Sequence, residues 1–216
     1  MPESSQHVRE DYLAAILEPD PARARAVVRA AVREGLRIEA AYAEVLGPAM
    51  VEVGRLWERG EISVAHEHLA TEVASSLVSE LAARLEPAAP TGRLAVVCCS
   101  PEELHCLGGQ MLTGLLEAAG WEALFLGTSL PLGDLVVLAQ DEAADVLALS
   151  TTMPHHLPGV AEAIRAVQEL EEPPFVIVGG QAYGGEDDAR RIGADAYAES
   201  AVEAPALLSS RLPPAA

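Results

Sequence analysis

The chain has 216 residues, half of them apolar, which is enough to bury one large core or two modest ones. Its formal charge of −19 excludes a basic nucleic-acid footprint, and its three cysteines contain no C-x-x-C pair, so neither a zinc site nor a disulfide framework is indicated. No leader-like start and no apolar run of membrane-spanning length occurs, so a cytoplasmic protein with no membrane partner and no direct nucleic-acid partner is expected.

Residues 1 to about 86 read as helices. A short helix runs over Asp11–Leu17, and Pro19 and Pro21 separate it from a second that reaches about Glu34. A third begins near Ile38 and carries Leu46, Met50, Val53 and Trp57 at spacings of 4, 3 and 4, an apolar stripe. Gly60 suits its left-handed end, and Ser63 suits the N-cap of a fourth helix with Leu69, Val73, Leu77 and Leu81 in an i+4 row. Four such helices with short turns make a bundle.

The segment 86–92, Glu-Pro-Ala-Ala-Pro-Thr-Gly, falls where the period changes and divides the chain into a helical part, 1–88, and a second part, 92–216. From there strands alternate with helices: strand Leu94–Cys99, helix from Leu107, strand Glu122–Leu126, helix from Leu132, strand Val146–Ser150, helix from Leu157. Strand Phe175–Val178, a short helix and a last strand near Ala196–Ala198 follow. The pattern predicts an α/β fold, a five-stranded parallel sheet of flavodoxin-like (Rossmann-type) order, with a ligand at the carboxyl ends of the strands.

The loop after the first strand reads Ser100-Pro101-Glu102-Glu103-Leu104-His105-Cys106-Leu107-Gly108. A carboxylate two residues before a histidine can bind one ring nitrogen and leave the other as a metal ligand. Gly108 lets a bulky group approach the helix start. Alone, E-x-H-x-x-G equally describes a helix-capping Glu beside a solvated His. Two more loops on the same edge add to it: Ser150-Thr151-Thr152-Met153, rich in hydroxyls, and Gly179-Gly180, which opens space beside the sheet.

Together E-x-H-x-x-G, S-x-T and G-G resemble the D-x-H-x-x-G, S-x-L and G-G signature of base-off/His-on cobalamin (vitamin B12)-binding domains. The resemblance implies His105 as lower axial cobalt ligand, Glu103 as its partner, and Leu104, Gly108, Ser150, Thr152, Gly179 and Gly180 around the cofactor. Glu replaces the usual Asp and Thr replaces Leu. In the helical part, Trp57 and the Glu67-His68 pair keep the W-x9-E-H spacing of the CarH-like photoreceptors, light-responsive repressors that hold adenosylcobalamin. That resemblance implies a helical cap whose Trp57, Val64 and Glu67 face an upper adenosyl group, with His68 able to take the vacated cobalt position after photolysis.

The expectation drawn from it is a sensor rather than an enzyme, free-standing in the manner of photocobilins, signalling through homo-oligomerisation or a partner protein in trans. Photocobilins also hold a bilin, for which the adjacent His155 and His156 offer candidate contacts, though exposed loop histidines read the same way. The alternative is a corrinoid carrier that shuttles methyl groups between two methyltransferases. Cobalamin storage or delivery is a third reading.

Overall fold

A computed structural model describes residues 4–215 and divides the chain into two compact units, Met1–Leu85 and Glu86–Ala216. In the first unit, α1 (Ser5–Leu17) starts six residues before the sequence pattern suggested, because Ser4 caps it by accepting from the His7 N–H. Asp20 caps α2 (Pro21–Arg33) by accepting from Arg23 N at 2.9 Å, and Pro21 sits at the first helical position, where a missing N–H costs nothing.

The third helix is continuous but not uniform. It begins as α3 (Ile38–Ala40), widens into a π-helical stretch, Ala41–Leu46, and resumes as α4 (Gly47–Glu58). The cause is Pro48. A proline inside a helix lacks the N–H and its ring collides with the carbonyl four residues back. Here the backbone steps to i→i+5 bonding, with Gly47 N–H on Tyr42 O. The extra residue turns the buried face, so Ala49 and Val53 lie inside while Met50 is only partly covered and Trp57 is exposed. The regular stripe expected through Leu46, Met50, Val53 and Trp57 is corrected accordingly. Gly60 at φ +70° ends α4, and Ser63 caps α5 (Val64–Ala82) by accepting from His66 N. Val73, Leu77 and Leu81 are buried, as are Tyr12, Tyr42 and Leu46, and the Tyr42 hydroxyl donates to Val78 O at 2.9 Å.

The second unit is a parallel sheet in the order β2-β1-β3-β4-β5, built from β1 (Leu94–Cys99), β2 (Glu122–Phe125), β3 (Val146–Ser150), β4 (Phe175–Gly179) and β5 (Ala196–Ala198). Side chains alternate across it. Val96, Cys98, Leu147, Leu149, Val176 and Val178 face α7 (Leu132–Asp141), α8 (Leu157–Gln168) and α9 (Glu186–Arg191). Ala95, Val97, Val146, Ala148 and Ile177 face α6 (Leu107–Ala118) and α10 (Ala204–Arg211), the last a helix not anticipated from sequence. Both faces are therefore covered, which is why the strands are near-continuous apolar runs. The order reverses between β1 and β3, so their following loops part and leave a crevice.

Candidate cobalamin site at the sheet edge

The crevice is organised by one buried carboxylate. Ser100–Glu103 is a turn closed by Glu103 N on Ser100 O at 3.0 Å, with Pro101 at its second position and Glu102 at φ +66°. It aims the Glu103 side chain back across the switch point, where it is fully buried. Glu103 Oε1 accepts from the His105 backbone N–H at 3.0 Å and from His105 Nδ1 at 2.5 Å. Oε2 accepts from the N–H groups of Thr152 at 2.8 Å and Met153 at 2.9 Å, and from His156 Nδ1 at 3.3 Å.

Burial by itself would raise this carboxyl. The backbone and ring N–H of His105, with those of Met153 and Thr152, outweigh it and hold the group down at about 2. The group is thus ionised and can only accept. His105 must then carry its proton on Nδ1, leaving the Nε2 lone pair free on a side chain that is more than half exposed. A neutral imidazole with a fixed tautomer and a carboxylate behind it is a metal ligand of raised basicity.

The surroundings fit a bulky cofactor. Leu104, 70% exposed, stands beside His105 with no core contact to make. On the α6 face, a Cβ at Gly108 would come 3.1 Å from Ser150 Oγ, and one at Gly179 would come 2.9 Å from Ala198 O. Gly180, at φ +110°, lies so close to the β3 loop that a Cβ would stand 2.2 Å from Thr151 O. Ser100 Oγ is buried without a hydrogen-bond partner, and a group of that kind calls for one. The donor set and the orphaned hydroxyl agree with the group expected from the sequence, while the glycines let the loops of the crevice pack closely on one another.

The structure brings Glu103, His105 and Thr152 together, the last through its N–H rather than its hydroxyl. Thr151 turns inward to Tyr183 OH at 3.2 Å. His156 was missed as a site residue: its side chain is only 10% exposed, and it completes the shell of Glu103, so the reading of His155 and His156 as an exposed loop pair is corrected for His156. A Pro-His-His step following a hydroxyl-rich loop is a weak signal, and nothing in periodicity points to it.

In the helical unit, Trp57 and Val64 flank the Gly60–Ser63 turn and are about half exposed, unusual for large apolar side chains. His68 is exposed, and its Nδ1 lies 2.6 Å from Glu67 Oε2, while Thr71 donates to Glu67 Oε1 at 2.8 Å. His66 pairs instead with Ser63 Oγ. Among the described residues, no cluster of three or more His, Cys, Asp or Glu forms a further metal site, and no helix is long and apolar enough to cross a membrane.

Comparison with known proteins follows the two units. Residues 8–82 and 93–206 each match a family model described as a B12 binding domain. Dimethylamine corrinoid protein 1 of Methanosarcina acetivorans is 32% identical over 163 residues, covering 74% of this chain and 76% of that one. The HTH-type transcriptional repressor CarH of Myxococcus xanthus is 35% identical over 146 residues, 66% of this chain but 47% of that protein. In fold, the monomethylamine corrinoid protein of Methanosarcina barkeri superposes with a TM-score of 0.83 at 21% identity, covering 97% of this chain and all of that one.

These findings correct the light-sensor expectation. Corrinoid proteins for methylamines match along three quarters of both chains, whereas the repressor match spans under half of that protein. The photoreceptor and chromophore readings go with it. The structure supplies a plainer account of two residues that suggested it, since Glu67 and His68 satisfy each other and Thr71 on one helix surface. With two matched domains and a relative at this identity and coverage, the chain belongs to the B12-binding protein family.

Proposed function

We propose that this protein is a corrinoid carrier: it holds cobalamin and passes a methyl group between methyltransferase partners that act in trans. The observation that carries the reading is the locked His105 ring, its Nδ1–H tied to a buried carboxylate and its Nε2 exposed. The names of the relatives, corrinoid proteins for dimethylamine, support the carrier class.

His105 would hold the cobalt from below, and Glu103 would set its tautomer and basicity. Gly108, Ser150, Thr152, Gly179 and Gly180 would leave room and polar contacts for the nucleotide tail. When bound, the cofactor would supply a cobalt centre that takes up a methyl group by forming a cobalt–carbon bond and releases it by breaking that bond, so this reading needs no adenosyl ligand of the kind expected from sequence. The chemistry on a donor substrate would fall to a partner enzyme.

The test is reconstitution with cobalamin, reduction, and exposure first to methyl iodide and then to a thiolate. The expected result is a methyl–cobalt spectrum that appears and then discharges with formation of the methyl thioether. A protein that binds cobalamin yet cannot be methylated at the cobalt, or whose methyl–cobalt form does not discharge to the thiolate, would overturn the carrier reading.

A further inference from the structure

The geometry points to His156 as a positioning residue that weakens axial ligation by His105, by competing for the same Glu103 carboxylate. The inference rests on the reading of His105 as the cobalt ligand.

Five N–H groups converge on Glu103, and a carboxylate offers about four lone-pair directions. Two of the donors are imidazoles. The same carboxylate accepts three backbone N–H groups, and with His156 Nδ1 3.3 Å from Oε2 and His105 Nδ1 2.5 Å from Oε1 each ring presents an Nδ1–H to it. His156 is held there by the 3₁₀ turn Pro154–His156 and by the edge-on ring of His155, with centroids 4.1 Å apart. The three backbone donors are fixed by the fold, so His156 is the one removable competitor. Each donor draws charge from the carboxylate, and the less charge it keeps, the less it can push into the His105 ring.

The experiment uses the full chain reconstituted with cobalamin and reduced to cobalt(II). His156→Phe keeps the ring volume and removes the donor, and His156→Asn places an amide N–H where Nδ1 stood. Nitrogen superhyperfine coupling in the cobalt(II) EPR spectrum reports His ligation, and the cobalt(II)/cobalt(I) midpoint potential reports its strength, since cobalt(I) takes no axial ligand.

His156→Phe should tighten ligation about threefold, which at about 59 mV per tenfold for one electron lowers the potential by about 30 mV. His156→Asn should match the parent. In the cofactor-free chain the His105 Nδ1 proton resonance should move downfield in His156→Phe, which keeps the idea testable if that variant binds cofactor poorly. An unmoved or raised potential in His156→Phe, an unmoved resonance, or an Asn variant that behaves like Phe overturns it. His105→Ala separates the two readings: if superhyperfine coupling survives that change with cobinamide, which carries no benzimidazole nitrogen of its own, the ligand assignment is wrong, whatever His156 does.

Discussion

Replacing Glu103 by Gln tests the hub of the site. The carboxyl is held down from 4.5 to about 2 in a group with no solvent exposure. At about 1.4 kcal/mol per unit, that drop is on the order of 3 kcal/mol of fold stability. The folded value is the lower one, so this contribution is complete above pH 4.5 and is lost as pH falls through about 2. Gln forfeits it and also turns an amide NH2 toward donors, whether His105 on one side or Thr152 and Met153 on the other. Glu103→Gln should therefore lose about 3 kcal/mol at pH 7 and show a flatter acid profile below pH 4.5. Urea unfolding in a Trp57→Phe background, followed by Trp121 buried in the α/β unit, measures it. Cobalamin affinity should fall by about 10–100-fold, the range for a residue behind a metal ligand. A loss below about 1 kcal/mol with an unchanged acid profile would refute the claim that the buried charge is stabilising where it sits.

Gly180→Ala puts a Cβ 2.2 Å from the Thr151 carbonyl in a left-handed backbone, so it should cost more than about 2 kcal/mol and break cofactor binding; a Tm within a degree or two of the parent would contradict the glycine argument. Trp57→Ala should cost under about 1 kcal/mol, since the side chain is half exposed, rather than the about 3–5 kcal/mol of a core Trp; thermal melts decide. Tyr42→Phe removes a buried hydroxyl from Val78 O and should cost about 1 kcal/mol by chemical denaturation.

The α/β half was the more legible because its signals are periodic and two-sided: largely apolar strands of three to six residues, alternating with helices, imply the sheet order that is found. The helical half was legible in number and caps but not in phase. A 3.6-residue period cannot anticipate a π-helical step, although Pro48 inside a helical run was a physical cue for some disturbance. At the site, Glu103 and His105 could be found from spacing because they lie two residues apart on one loop. His156 could not, because it reaches Glu103 from 53 positions away through the β3 loop. The choice between sensor and carrier was beyond the sequence for a different reason. Both require the same ligand below the cobalt and differ in what a partner does above it.

The substitution of Glu for the Asp of the family pattern also has a local account. The longer side chain sits in a loop held by Ser100 N on Ser150 O and by the start of α6. In the turn before it, Glu102 occupies the left-handed region, which costs a non-glycine residue about 1–2 kcal/mol. That turn lets the longer side chain fold back under its own backbone and meet Thr152 and Met153 on the far side of the crevice. Hydrogen bonds to a charged group contribute about 1.5–3 kcal/mol each, so even two of the five offset the strain. The strained turn and the buried carboxylate are thus one device. Glu102 carries the cost, and the β1 and β3 loops are joined behind His105 as the result.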